Sequence, residues 1–99
     1  PTLIVADGIV RFDHEREIQL TETETKVLAA MARAVPHYTS VNRLSDLLWP
    51  STPPEREVIY SHVSSVVHNL RLKLDPYGVL IEHKHGFGYR LAQPLEVET

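Results

Sequence analysis

The chain has 99 residues, of which 42% are hydrophobic and 23% are charged, a composition typical of one globular domain with a modest core. It contains no cysteine, which excludes a disulfide scaffold and a zinc site made of thiolates. No segment resembles a signal peptide or reaches the roughly 20 apolar residues that a membrane span needs. We therefore expect a soluble, cytoplasmic protein.

The net charge of −3 argues against a nucleic-acid partner, because basic surfaces supply most of the affinity for phosphate. The charges, however, are unevenly distributed. Residues 1–25 carry six acidic side chains and two basic ones, whereas residues 58–93 carry four basic side chains, two acidic ones and four of the six histidines. This asymmetry is consistent with one face that meets a polyanion while another stays acidic.

The N-terminal part predicts a small antiparallel sheet at about residues 2–20. Three β-prone segments, Thr2–Val5, Ile9–Phe12 and Glu17–Leu20, are separated by Asp7-Gly8 and by a charged run at 13–16. Asp-Gly between apolar segments is typical of a hairpin turn.

Two helices are predicted next, as the first part of a three-helix core at about residues 21–75. Thr21 and Glu24 fit a capping box at the start of the first helix, and Pro36 ends it. The second helix begins near Thr39 or Ser40 and ends just before Pro50. We expect it to bury Val41, Leu44, Leu47 and Leu48.

The third helix is predicted over about residues 53–75. Thr52 is its expected cap, Pro53 occupies the first position, and Glu55 completes a second capping box. The sequence Asp75-Pro76-Tyr77-Gly78 ends the helix. Its apolar stripe consists of Ile59, Val63, Val66, Val67, Leu70 and Leu74.

A β-hairpin is predicted at about residues 79–92. Two β-prone segments, 79–83 and 87–91, flank a turn at His85-Gly86, and the polar residues from Gln93 onward are expected to fray. Strands, three helices and a hairpin in this order indicate an α+β fold, a winged helix-turn-helix that spans residues 1–99 as a single domain.

The side of the third helix opposite its apolar stripe is small, polar and nearly uncharged. A solvated helix of this length would more typically carry Glu–Lys pairs four residues apart. Hydroxyl, imidazole and amide groups can bond base edges or phosphates, and asparagine suits adenine. A merely solvated face remains the alternative. The candidate DNA contacts here are Ser61, Ser64, Ser65, His68 and Asn69.

Basic side chains provide further candidates. Arg71 and Lys73 suit the negative end of the helix dipole and could also reach phosphates. His83, Lys84 and His85 at the hairpin tip suit the phosphate backbone or a narrow minor groove, although an ordinary solvated turn is an open alternative.

The sequence predicts neither catalysis nor a cofactor. No nucleophile motif, phosphate-binding loop or carboxylate pair can be assembled, so we expect no enzyme activity and no catalytic residue. His83 and His85 share a strand face, but Gly86 follows at once and loosens the geometry, so we predict no metal site. The stiff loop around Trp49, Pro50 and Pro53 is either a turn or a surface for a protein partner.

Four segments together resemble the OmpR/PhoB-type winged-helix effector domain, the DNA-binding output half of many two-component response regulators. They are LTETETKVLAAM, RLSDLLW, SHVSSVVHNLRLKL and HGFGYRL, and the resemblance extends from about Leu3 to Leu91. Either SHVSS or NLRLKL can be matched to the family's recognition-helix motif, whose usual arginines are missing here.

The resemblance implies sequence-specific binding of double-stranded DNA in transcription regulation. The third helix would lie in the major groove, and the hairpin, or wing, would contact the backbone or the minor groove. Thr39, Ser40 and Arg43, at the start of the second helix, join the candidate DNA contacts. Trp49, Pro53 and Glu55 become candidate contacts for RNA polymerase, and a homodimer on direct repeats is expected.

Two other interpretations remain open. The acidic isoelectric point near 6.1 favours a winged-helix module that binds proteins and has lost DNA binding. SHVSS also faintly resembles the LuxR-type helix-turn-helix, which ends in a fourth helix, whereas GFGYRL is strand-like.

Overall fold

The computed structural model describes the backbone of residues 2–6, 9–12, 16–92 and 96–98, and the side chains of residues 17–92. Three strands, β1 (Thr2–Ala6), β2 (Ile9–Phe12) and β3 (Arg16–Gln19), pair antiparallel as predicted. Ala6 pairs with Ile9, and the predicted Asp7-Gly8 turn between them lies outside the described residues.

The chain then forms three helices and a hairpin. Their bounds are α1 (Glu22–Ala34), α2 (Val41–Leu48), α3 (Arg56–Leu74), β4 (Ile81–Lys84) and β5 (Gly88–Leu91). We call the hairpin of β4 and β5 the wing. It confirms the winged-helix prediction at the place where a LuxR-type domain would have a fourth helix. None of the described helices combines the length and apolar character that crossing a bilayer requires.

A last strand, β6 (Glu96–Glu98), pairs parallel with β1 and completes a sheet of order β3-β2-β1-β6. The prediction that residues after Gln93 fray is therefore wrong for these three. A strand at a sheet edge is held by backbone hydrogen bonds to its neighbour. The polar side chains of this segment therefore did not indicate that it forms a strand.

The two N-terminal helix caps follow from local chemistry. The backbone N–H of Glu24 donates to Thr21 Oγ1 at 3.1 Å, and the N–H of Thr21 donates to Glu24 Oε1 at 2.9 Å, which confirms the predicted capping box. Of the two predicted starts for α2, Ser40 is the cap, because its hydroxyl accepts from the N–H of Arg43 at 3.1 Å. Leu44 is fully buried, but Leu47 is 39% exposed. It projects about 100° from the buried side of this short helix, so its predicted burial is wrong.

The third helix begins later than predicted. Glu55 is its N-cap and makes no side-chain cap bond, so the capping box with Thr52 is wrong. A proline disfavours helical backbone in the residue before it. Because Pro53 precedes Pro54, helical geometry is disfavoured at Pro53 as well as at Thr52.

One apolar core joins the helices to the wing. The predicted stripe of α3 packs inward, with Ile59 only partly buried. The largest fully buried side chains come from all three helices and from β5: Leu28, Met31, Leu44, Leu70, Leu74 and Leu91. Burying a leucine stabilises the fold by about 2 kcal/mol relative to exposure, so this core holds the three helices and the base of the wing together.

A backbone bridge ties the wing to the residue before the cap of α2. The N–H of Thr39 donates to the carbonyl of Tyr89 at 2.7 Å, and the N–H of Tyr89 donates to the carbonyl of Thr39 at 3.0 Å. Gly88 is pressed against this bridge at φ +108°, and a Cβ built on it would overlap the Thr39 carbonyl oxygen and lie 2.7 Å from its carbon.

A charged pair connects the end of α3 to the start of α1. Lys73 Nζ lies 2.6 Å from Glu24 Oε1, and the Glu24 side chain is only 5% exposed. Burial raises the pKa of Glu24, but the bonds from the Lys73 ammonium and from Thr21 outweigh it, so the pKa lies below its ordinary value of 4.5.

We expect Gly88→Ala to lower the free energy of unfolding by about 3 kcal/mol, because it adds backbone strain and a clash with Thr39. Gly86→Ala is the matched control. Gly86 also has a positive φ, +83°, but nothing lies within 4 Å of its Cβ position, so only the strain of about 1 kcal/mol applies. Urea unfolding measures both values, and equal losses would contradict the close approach at Thr39.

We expect Lys73→Met to lower the free energy of unfolding at neutral pH by about 1 to 2 kcal/mol, since Lys73 is partly exposed and water screens its charge. The pKa of Glu24 is lower in the folded protein than in the unfolded chain, so ionised Glu24 stabilises the fold above pH 4.5. This stabilisation is lost as the pH falls through the folded-state pKa of Glu24. The difference between variant and wild type should therefore shrink as the pH falls below 4.5.

Lys26→Met is the control for this experiment, because Lys26 pairs with the exposed Glu22 on the surface of α1. Its loss should be below about 0.5 kcal/mol at every pH. Urea unfolding across the pH range measures both losses. If Lys73→Met lowered the free energy of unfolding no more than Lys26→Met does, the stabilising role of the Lys73–Glu24 pair would be contradicted.

Candidate nucleic-acid interface

The predicted contact side of α3 is a continuous exposed surface. Its residues point away from the core because they lie opposite the buried stripe. The exposed members are Ser61, Ser64, Ser65, His68 and Asn69. All of them are short or polar, so a second molecule can approach the helix closely along this side.

A groove of about 590 Å³ lies between α3, the start of α2 and the wing. It brings together predicted contacts from three separate parts of the chain: Ser40, Ser61, Ser64, His83 and His85. Ser65, His68 and Asn69 lie outside its lining, farther along the exposed side of α3. The groove therefore has a helix as one wall and a hairpin as the other.

Eight lining residues were missed by sequence reasoning, among them Asn42, Arg56, Tyr60 and Phe87. Arg56, Tyr60 and Ser64 are spaced four residues apart, and this spacing could have shown that they share a side of the helix. The Tyr60 hydroxyl accepts from Arg56 Nη2 at 3.4 Å. This bond raises the pKa of the Arg56 guanidinium above its ordinary range, so the cation persists at every practical pH.

Three predicted DNA contacts bond to other parts of the protein. Thr39 is only 1% exposed and its backbone is bonded to Tyr89, so the prediction that it contacts DNA is wrong for its side chain. Arg71 Nη2 donates to the carbonyl of Ile81 at 3.0 Å, which ties α3 to β4. Lys73 is paired with Glu24. These two cations are therefore assigned to the packing of α3.

Arg43 also lies away from the groove. Its side chain lines a separate depression between α1 and α2, with Arg33, Asp46 and Leu47. The short helix explains this separation, because Ser40, Val41 and Asn42 face the wing while the next residue turns to the other side.

The wing carries an ordered set of rings and charges. The rings of His83 and Tyr89 lie 4.6 Å apart between centroids. Lys84 and His85 are exposed at the tip. Where side chains are described, no group of three or more histidine, aspartate or glutamate side chains is placed to hold a metal ion.

The loop between α2 and α3 holds the predicted partner contacts. Pro53 and Glu55 are exposed. Trp49 is half-buried, because its ring packs against His62 of α3 with 5.2 Å between centroids. Trp49 is therefore less accessible to a partner than Pro53 and Glu55.

Comparisons with known proteins agree with the winged-helix fold. Residues 15–91 match the family described as "Transcriptional regulatory protein, C terminal". The DNA-binding domain of Bacillus subtilis CssR is similar in structure, with a TM-score of 0.70 and 24% identity over 91% of this chain and 99% of that chain. No curated protein sequence is significantly similar to the chain.

Two further solved structures are similar. The C-terminal domain of the nisin resistance regulator NsrR, a lantibiotic response regulator, has a TM-score of 0.71 and 22% identity over 92% of this chain and 91% of that chain. The DNA-binding domain of the response regulator AdeR, solved in complex with an intercistronic region, has a TM-score of 0.66 and 25% identity over 95% of this chain and 97% of that chain. Because the family match covers well over half of the sequence and the fold agrees with it, the chain belongs to the transcriptional regulatory protein C-terminal family, the OmpR/PhoB-type winged-helix DNA-binding domains.

Proposed function

We propose that this domain regulates transcription by binding double-stranded DNA sequence-specifically, with α3 in the major groove and the wing on the backbone or in the minor groove. The observation that carries the proposal is the groove whose walls are the small polar side of α3 and the wing. A protein with this role must be in the same compartment as the DNA, and we therefore propose a cytoplasmic localisation.

The dimensions of α3 support this orientation. A helix with its side chains is about 10–12 Å in diameter, and the major groove is about 12 Å wide. Ser61, Ser64 and Ser65 keep the exposed side narrow, so the helix axis can approach the base edges closely. Their hydroxyls donate and accept hydrogen bonds, and Asn42 and Asn69 carry the amide that suits adenine.

Charge supports one phosphate contact at the groove and one at the wing tip. Arg56 lies at the start of α3, and Lys84 lies at the wing tip. Arg71, Lys73 and Arg90 are bonded to carbonyl or carboxylate oxygens of the protein, whereas Arg56 donates to the Tyr60 hydroxyl at 3.4 Å. With about two phosphates neutralised per domain, the logarithm of the affinity should fall with the logarithm of salt concentration with a slope of about −2.

So few phosphate contacts favour binding in pairs. One domain should bind weakly, and two copies on adjacent half-sites would add their contacts. We therefore propose a homodimer on direct repeats, in keeping with the resemblance to the OmpR/PhoB type.

The loop from Trp49 to Glu55 is proposed as a contact for RNA polymerase. Pro53 and Glu55 are exposed, and the packing of Trp49 on His62 holds the loop beside α3. A polymerase subunit bound next to the recognition helix could therefore reach it.

The proposal is tested by fluorescence anisotropy with a dye-labelled duplex pool of random sequence, followed by selection of the preferred site. Wild type should bind with the shallow salt slope given above. Ser61→Glu introduces a negative charge into the groove, where it would face phosphates, and should weaken binding about 30-fold, equivalent to about 2 kcal/mol.

Leu47→Glu is the matched control. Leu47 is 39% exposed and lines the separate depression between α1 and α2, away from the groove. It receives the same charge and should keep most of the affinity. Equal losses in both variants would contradict the placement of the groove, and a folded wild type that binds no duplex at low salt would favour the protein-interaction alternative.

A further inference from the structure

Phe87 lies at the wing tip with 57% of its surface exposed. A single exposed apolar side chain is common and by itself indicates nothing. Two other features distinguish Phe87, namely the groups that hold its ring and the charges that surround it.

One contact holds the ring of Phe87, and another holds its backbone. The ring lies 6.1 Å from the ring of Tyr38 between centroids, tilted by 51°. On the wing itself, the N–H of Phe87 donates to the carbonyl of Lys84 at 2.9 Å and closes the turn. Because the bridge between Thr39 and Tyr89 fixes the hairpin, the ring protrudes from a rigid support.

The surroundings of the ring are positively charged. Lys84 Nζ lies 4.7 Å from the centroid of Phe87. The guanidinium of Arg90 lies 4.5 Å from the centroid of Tyr38, and its Nε bonds the nearby acid, Glu82, at 3.1 Å. An apolar ring beside a cation is complementary to a surface on which apolar groups lie next to phosphates, because the ring can contact the apolar groups while the cation pairs with a phosphate. The minor groove of DNA, with its sugars and base edges, has this chemistry.

We propose that Phe87 is an apolar wedge that enters the minor groove beside the wing, inserts between two adjacent base pairs and bends the duplex. The inference rests on the proposed function, since it assumes that the wing lies on DNA. Inserted apolar side chains partly unstack a base step and bend DNA by about 20–90°. Pyrimidine–purine steps unstack most easily, so the wing would select TA or CA steps without a hydrogen bond to any base.

The test uses a selected duplex with a donor and an acceptor dye at its two ends, so that energy transfer reports bending and anisotropy reports affinity. Wild type should bend the duplex by at least about 20°. Phe87→Ala should leave the bound duplex straight and bind about tenfold more weakly, through the loss of stacking. Phe87→Leu keeps an apolar wedge and should retain the bend.

Leu80→Ala is the matched control, because Leu80 is 54% exposed at the base of the same hairpin. It should change neither bending nor affinity. Thermal unfolding of each variant checks that the wing is intact, and Phe87→Leu remains informative if Phe87→Ala unfolds.

Two outcomes would overturn the inference: a wild-type complex with straight DNA, or a Phe87→Ala complex bent as strongly as wild type. Both differ from failure of the proposed function, in which the folded wild type binds no duplex and Ser61→Glu changes nothing.

Discussion

Two backbone hydrogen bonds between Thr39 and Tyr89 determine where the wing lies relative to the helices. The core residues of β5 hold the base of the hairpin, but the bridge fixes its outer part against the start of α2. Gly88 permits the close approach, because any side chain there would meet the Thr39 carbonyl. The groove between α3 and the wing, and the direction in which Phe87 protrudes, both depend on this contact.

Three of the basic side chains stabilise the same arrangement of helices and wing. Arg71 ties α3 to β4, Lys73 ties it to α1, and Arg90 braces the wing through Glu82. Each of these bonds stabilises the elements that form the groove. Each also engages a positive charge within the protein, where it is less available to a phosphate. Arg56 and Lys84 remain at the groove and its wing, so recognition would depend on shape and on neutral hydrogen bonds more than on charge.

Local sequence rules predicted much of the fold because they act over a few residues. The Thr21–Glu24 capping box, the stripe from Val63 to Leu74 and the glycine-rich turn of the wing are each complete within one element. The predicted start of α3 at about residue 53 was wrong because each of the two consecutive prolines disfavours helical backbone in the residue before it, and the helix begins at Arg56.

The sequence did not predict the contacts that single side chains make with distant residues. Lys73 pairs with a carboxylate 49 positions away, and Thr39 is buried by a strand 50 positions later. β6 forms only because β1 offers it an edge. Spacing along the chain does not report such contacts. Spacing did predict that Ser61 and Ser64 are exposed, because their exposure follows from the helix they lie on.

The central claim is that α3 and the wing form one DNA-binding surface. It is tested most directly by recording backbone amide NMR spectra while a selected duplex is added to the isotope-labelled domain. The account predicts shifts concentrated at the start of α2, along the exposed side of α3 and at residues 83–88, with α1 little affected. Shifts confined to the N-terminal sheet or to the depression between α1 and α2 would contradict it.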